Sequence, residues 1–347
     1  MSREPRPPRQ QTSVDDGARA QHKHKWLRVV LSGIGTLFIS WVIIYCVPRI
    51  IDVARAYNFH APDSIVFIKK RLELTDRGTD IFYASTPAVE EKTEFNKNCQ
   101  TEERSTAILG CFSKDKIYLY NLKNSELDGT LEVTAAHEML HAAYQRLTIA
   151  EHVWLDKRIV AQYDKVKNDA SMKELMAYYS KAEPGEEVNE LHSILGTTLA
   201  KLDPDLENYY KRYFNNRSTV VSLNAKYNKV FTEISEKTTA LETKIAAEEP
   251  DITQALATYD SDRAQLEKTI ASFNSRAKAS KFTSQASFDS ERNALMRQVE
   301  ELNARRDDIN IKVSTYNADV AELTKLSTRT TALYQSMNGA TQTEEVK

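Results

Sequence analysis

The sequence has no strong excess of charge of either sign. Its 347 residues include 47 Lys and Arg against 49 Asp and Glu, for a formal net charge of −2. This balance excludes a strongly basic nucleic-acid binder. Glycine is also scarce, at nine residues, and none occurs between residues 197 and 338, where Pro204 and Pro250 are the only prolines. A stretch with so few helix breakers predicts long helices, and we expect a mainly α (α+β) fold.

A long hydrophobic run lies near the N-terminus. Residues 29–47 carry no charged side chain, and this length is sufficient to span a bilayer as a transmembrane helix. The preceding residues 1–28 contain seven Lys and Arg against three Asp and Glu and are predicted to form a disordered tail. By the positive-inside rule this tail is cytoplasmic, and everything after a linker at 48–62 is extracytoplasmic. We therefore expect a single-pass plasma-membrane protein, with a cleaved signal peptide or a buried soluble helix as the alternatives.

Cysteine is limited to three residues. Cys46 lies inside the hydrophobic run, which leaves Cys99 and Cys111 as a pair in the part of the chain that is expected outside the membrane. An oxidising compartment permits a disulfide between them, and closing this loop would stabilise the fold by about 3 kcal/mol. Two free thiols or two metal ligands are the alternatives, although the CxxC spacing typical of a metal site is absent.

The strongest chemical signal is the segment His137-Glu138-Met139-Leu140-His141. Its flanks contain neither Pro nor Gly, which favours a helix. On a helix, His137 and His141 lie on one face and can bind one metal ion, while Glu138 can take a proton from a water molecule on that metal. The alternative is an ordinary core helix in which these three polar side chains hydrogen-bond internally.

This segment resembles the signature of the zincin metallopeptidases. The residues that follow His141 include neither the Gly nor the third His of the metzincin branch. The gluzincin branch takes its third ligand from a Glu on a later helix, and Asn189-Glu190 is similar to that motif. The resemblance implies a zincin-like catalytic domain with a small sheet over about residues 63–215.

The resemblance also implies a zinc site and a mechanism. Zn²⁺ would be bound by His137, His141 and Glu190. Glu138 would be the general base as a zinc-activated water attacks a peptide bond.

Residues near Glu190 leave alternatives for the third ligand. Glu190 lies among apolar residues, where a buried carboxylate needs a partner. His192 and Glu187 are the alternative ligands, and His192 is also a candidate for stabilising the transition state. Other candidate hydrogen-bond donors for that role are Tyr144, Tyr178 and Tyr179.

Three short segments, residues 81–84, 107–112 and 116–122, are mostly apolar or aromatic and predict strands. In zincins an edge strand beside the cleft precedes the metal helix and pairs with extended substrates. The resemblance gives this role to 116–122, and the alternative is that it is only a core strand.

After about residue 216, hydrophobic residues follow a heptad spacing. The clearest series is Leu295, Val299, Leu302, Ile309, Val313, Tyr316, Val320 and Leu323. A weaker upstream series and a Ser- and Lys-rich break at 275–290 predict an antiparallel coiled-coil hairpin over 216–337. Pro250 should kink or interrupt its first arm. A parallel dimer is the alternative, and 338–347 is predicted to be a disordered tail.

The expected function is a membrane-anchored, extracytoplasmic zinc-dependent peptidase that acts on a peptide or protein substrate and has no nucleic-acid partner. The coiled coil would be a spacer or a docking arm for an envelope protein. The alternative from another class is a non-catalytic coiled-coil scaffold or adaptor of the cell envelope, with an inactive metallopeptidase-like domain. A cell-wall peptide hydrolase would use the same site on crosslinking peptides.

Overall fold

The computed structural model describes residues 1, 2, 4, 29–99, 109–182 and 184–337. Helices dominate these residues, and three short strands form one sheet. The prediction of a mainly α fold with a small sheet is therefore confirmed. The predicted tails at 1–28 and 338–347 lie outside the described residues, apart from Met1, Ser2 and Glu4.

The N-terminal hydrophobic run does not form the predicted transmembrane helix. Among the described residues, 29–41 are α-helical. A π-helical turn at Val42–Cys46 follows, and the next helix, α1 (Val47–Asn58), carries charged residues. Within the described part of the chain, no helix is both long and apolar enough to cross a membrane. This finding overturns the predicted transmembrane helix and the single-pass plasma-membrane location that rested on it.

The chain divides into two compact units, the first of which comprises residues 1–104, 110–121 and 131–222. Most of its mass is helical. After α1, its helices are α2 (Asp63–Arg71), α3 (Asp76–Ala84), α4 (Lys92–Asn98), α5 (Thr130–Gln145), α6 (Ile149–Val166), α7 (Ala170–Ala182), α8 (Glu187–Thr198) and α9 (Pro204–Tyr210). Side chains of these helices and of the sheet form its core, including Ile65, Ile68, Phe82, Phe95, Ile117, Leu119, Met139, Leu140, Leu155, Leu195 and Tyr210.

The sheet has three strands in the order β1-β3-β2: β1 (Ala88–Glu90), β2 (Gly110–Ser113) and β3 (Lys116–Tyr120). Strand β1 runs parallel to β3, and β2 runs antiparallel to it, with Gly110 opposite Leu119. The predicted strand at 116–122 therefore forms as β3, but it is the central strand and not an edge. Its position is set by pairing on both sides, which no local pattern encodes.

The predicted strand at 81–84 is instead the last turn of α3. Thr75 caps this helix, because its Oγ1 accepts a hydrogen bond of 3.0 Å from the backbone N–H of Gly78. Gly78 also packs directly against the backbone of Tyr213, where a side chain would not fit. The apolar run was too short for its periodicity to separate a strand from a helix end.

The second unit comprises residues 105–109, 122–130 and 223–347 and contains most of α10 (Arg217–Lys278) and all of α11 (Gln285–Met337). The two helices run antiparallel, since Arg276 pairs with Glu291 near the turn and Lys312 pairs with Asp251 at 2.8 Å further along. Helix α10 continues through Pro250 without interruption. Apolar clusters around Leu266, Phe273 and Leu295, and around Leu127, Ile234 and Leu333, hold the pair together.

Candidate metal centre

Contacts at both ends hold helix α5 in place. Gly129 has a φ of +101°, a conformation that glycine adopts readily, and so redirects the chain into the helix. Thr130 Oγ1 donates a hydrogen bond of 2.8 Å to the carbonyl oxygen of Leu127. After the last turn, the Arg146 guanidinium donates to the carboxylate of Asp52 at 2.9 Å, and Asp52 is almost fully buried. The helix that carries His137, Glu138 and His141 is thus held rigidly.

Helix α8 approaches α5 unusually closely, because Gly196 has no side chain. A Cβ at this position would lie 2.5 Å from Leu140 Cδ1 and 2.7 Å from Tyr210 Cε1. Ordinary contacts between carbon atoms are about 3.5–4.0 Å. This close packing brings Glu190, which lies on α8, against the imidazoles of α5.

Three predicted ligands meet where the helices pack. His137 Nε2 and His141 Nε2 are 3.0 Å apart. The Glu190 carboxylate lies 3.5 Å from His137 Nε2 and 3.2 Å from His141 Nε2. One ligand atom from each residue falls within 4.8 Å of the other two.

These separations are compatible with a single metal ion. Two ligand atoms at 2.0–2.1 Å from a tetrahedral zinc lie about 3.3 Å from each other. The two imidazole nitrogens are 3.0 Å apart, and each lies 3.2–3.5 Å from a different carboxylate oxygen of Glu190. Two imidazoles and one carboxylate are also a donor set that zinc accepts in catalytic sites.

A second layer of hydrogen bonds orients one of the imidazoles. His141 Nδ1 lies 3.0 Å from Asn189 Oδ1, so the ring donates its Nδ1–H to the amide and keeps the Nε2 lone pair for a metal. Asn189 Nδ2 in turn donates to Glu186 at 3.1 Å. The motif Asn189-Glu190 therefore supplies a ligand and the residue that orients another ligand. The sequence offered no signal for Glu186 beyond its place at a helix start.

Both imidazoles are neutral near neutral pH. Burial lowers the pKa of His137 to about 4. Burial is also the main cause that lowers the pKa of His141 to about 4, helped by the neighbouring His137 and opposed by Glu190. Only a neutral imidazole has a lone pair for a metal, so the site is in the protonation state that binding needs.

Glu138 lies between α5 and strand β2. The side chain is 6% exposed. A Cβ on Gly110, the first residue of β2, would lie 3.0 Å from Glu138 Cγ and 2.5 Å from Thr134 Cγ2. The strand therefore passes directly over the candidate general base, and only a glycine allows this approach.

His192 lies outside the group of ligand atoms. Its fully buried ring has its centroid 5.3–5.5 Å from the rings of Tyr144, Tyr209 and Tyr210. Neither ring nitrogen has a hydrogen-bond partner among the described residues, and burial lowers its pKa well below the usual value. Within the described part of the chain, the ligand group includes neither His192 nor Glu187. A role of His192 in stabilising the transition state stays a prediction.

The other candidate donors are also placed by the fold. The hydroxyl of Tyr144 donates to Asp156 at 2.8 Å and so is already engaged. Tyr178 and Tyr179 lie on α7, where their ring centroids are 5.3 Å apart. A role of these two tyrosines as hydrogen-bond donors in the transition state stays a prediction.

The predicted disulfide between Cys99 and Cys111 is confirmed. It joins the C-terminal end of α4 to β2, one residue after Gly110. The bond therefore fastens the strand that passes over Glu138.

Comparison of the chain with known proteins found no matching family model, no matching curated protein and no matching solved structure, so its function is inferred from this geometry.

Proposed function

We propose that this chain is a zinc-dependent peptidase of the gluzincin type, with a zincin-like fold in the first unit. The observation that carries the proposal is the meeting of His137, His141 and Glu190 within 4.8 Å, with Glu138 next to the first of them. The ligand atoms come from two helices, α5 and α8, that are far apart in sequence. The Glu190 side chain is 3% exposed, and a cation bound beside it would offset its buried negative charge.

Each side chain then has a separate task. A zinc ion held by the three ligands would polarise the scissile carbonyl and lower the pKa of a water molecule. Glu138 accepts the proton of the attacking water and passes it to the leaving amine. Asn189 holds the His141 ring in the orientation that presents Nε2. Burial of the site strengthens each of these electrostatic interactions.

Strand β2 is the element that would position a substrate. Among the described residues it pairs only with β3, and its other edge is the one that would take an extended peptide in this proposal. Because Gly110 lies against Glu138, a peptide paired with β2 by main-chain hydrogen bonds would pass the general base. The substrate-pairing role expected for 116–122 is therefore reassigned to β2 in this proposal.

The first experiment is the metal content of the purified full-length chain by elemental mass spectrometry. We expect about one zinc per chain, with little or none in Glu190→Ala. Glu187→Ala is the matched control, because it removes a carboxylate of the same helix that lies outside the ligand group, and it should keep its zinc. Equal zinc in all three proteins, or none in the wild type after zinc is supplied, would refute the site.

The second experiment separates zinc binding from catalysis. Glu138→Gln keeps the size of the side chain but cannot accept a proton, so zinc should remain while peptide hydrolysis falls by about 10²–10⁴-fold. A peptide library monitored by mass spectrometry provides the substrates. Hydrolysis at the wild-type rate in Glu138→Gln would contradict the assigned mechanism.

A further inference from the structure

A groove of about 670 Å³ lies in the first unit, between α1, the end of α3 and the turn that joins β2 to β3. Its volume is within the range of roughly 300–1,000 Å³ seen for small-molecule sites. Apolar side chains line much of it, including Ile51, Ala54, Phe59 and Ala84. None of the residues that line it belongs to the metal centre.

Two lysine side chains lie at the rim of this groove. Lys114 and Lys116 are both exposed, and neither has a hydrogen-bond or ion-pair partner among the described residues. The anion of the rim, Asp115, is already engaged by Arg55 and by Arg146. Within the described part of the chain, the two lysine charges are thus not offset by a partner, although the chain as a whole has a formal charge of −2.

The turn that presents these lysines has an unusual backbone. Lys114 has a φ of 52° and Asp115 a φ of 65°, so two consecutive residues with side chains adopt the left-handed conformation. Asn and Gly normally occupy such hairpin turns, because most other residues are strained there. Arg146, which is anchored on buried Asp52, donates to Asp115 at 3.1 Å and holds the turn in place. The backbone of the turn that carries the two lysines is therefore held in place before any ligand arrives.

We propose that this groove binds a single-chain aliphatic carboxylate, with the carboxylate at Lys114 and Lys116 and the hydrocarbon chain along the apolar wall. An anionic head group would offset the positive charges of Lys114 and Lys116. An apolar chain would gain from covering Ile51, which is 45% exposed. Charge and apolar surface lie side by side in the groove, which selects a ligand that has both.

The test is isothermal titration of the full-length chain with decanoate below its micelle concentration. We expect one site, at least tenfold tighter than for decanol or decyltrimethylammonium, and no saturable binding of acetate. Decanol binding as tightly as decanoate would overturn the proposal, because the lysines would then select nothing. Saturable acetate binding of equal affinity would overturn the role of the apolar wall.

Matched charge variants locate the site. Lys114→Glu with Lys116→Glu should weaken decanoate at least tenfold. Lys173→Glu with Lys201→Glu changes the net charge equally at exposed lysines away from the groove, and it should bind like the wild type. Equal weakening in the two pairs would show a general charge effect and refute the site.

A third variant tests the apolar wall directly. Ala54→Trp fills the groove from an exposed helix position and should also weaken decanoate, with unchanged circular dichroism. Decanoate binding at wild-type affinity in this variant would place the ligand elsewhere. Since every readout is binding, failure here leaves the peptidase proposal standing, and failure of the zinc experiments leaves this one standing.

Discussion

Replacing Gly196 by Ala tests whether the close approach of α8 to α5 creates the metal centre. An added Cβ would lie 2.5 Å from Leu140 Cδ1 and 2.7 Å from Tyr210 Cε1, whereas nonbonded carbon atoms rest at about 3.5–4.0 Å. Both neighbours are fully buried, so neither can rotate into solvent. Helix α8 must therefore retreat by about 1 Å, or the core must deform around the new methyl group.

A displacement of α8 would change the distances between the metal ligands. Metal–ligand distances are acceptable only within about ±0.2 Å, and Glu190 lies on the same helix as Gly196. A 1 Å displacement of its carboxylate from the two imidazoles is well outside that tolerance. We expect the zinc affinity to fall by about 10–100-fold, as for other changes that disturb ligand placement. The free energy of unfolding should fall by about 1–3 kcal/mol through overpacking.

Competition with a chelating indicator measures the zinc affinity, and thermal unfolding measures the stability. Gly33→Ala is the matched control, because no atom lies within 4 Å of a Cβ built there. It should bind zinc like the wild type. If Gly196→Ala unfolds at a lower temperature but keeps wild-type zinc affinity, the idea that helix spacing sets the ligand geometry is refuted.

Three further changes have expected outcomes. Asn189→Ala should weaken zinc binding by about 10–100-fold in the chelator assay, because the His141 ring loses its orienting acceptor; wild-type affinity would contradict this. Replacing Cys99 and Cys111 by Ala should lower the free energy of unfolding by about 3 kcal/mol in denaturant titrations, and an unchanged midpoint would argue against it. Acid should destabilise the metal-free protein: His137 and His141 stay neutral when folded down to about pH 4 but take up protons when unfolded from about pH 6.5. Stability should therefore fall as the pH falls through that window, and a flat pH profile from thermal unfolding would refute it.

Two parts of the candidate site could be predicted because their signals are local. His137 and His141 are four residues apart, and a helix places such residues on one face whatever surrounds it. The pairing of Cys99 with Cys111 followed from elimination among three cysteines and is present. Glu190 was nominated through a resemblance and through its apolar neighbours, and the fold brings it to the imidazoles.

The errors came from patterns that have more than one structural solution. The apolar run at 81–84 suits a strand or a helix end equally, and contacts with Tyr213 favoured the helix. Hydropathy at 29–47 predicted a spanning helix, but the regular α-helix stops at residue 41 and charged residues of α1 follow. Among these charged residues, Asp52 is buried and pairs with Arg77 and Arg146. A hydropathy average over neighbouring residues cannot predict these ion pairs, because the partners are distant in the sequence. Pro250 lies within an uninterrupted α10, so of the expected kink or interruption the interruption does not occur.

The sequence by itself determined which side chains are the candidate metal ligands and the helical character of the chain. Both depend on the spacing of residues along the chain. A helix places residues that are three or four apart on the same face, so this spacing fixes their relative positions locally. Tertiary structure alone decided how near Glu190 comes to the imidazoles, that Asn189 orients His141, and that β2 rather than β3 is the strand beside Glu138. These features depend on the packing of elements that are distant in the chain, such as the contact of Gly196 with Leu140, and the energy of such packing is not a property of any local segment.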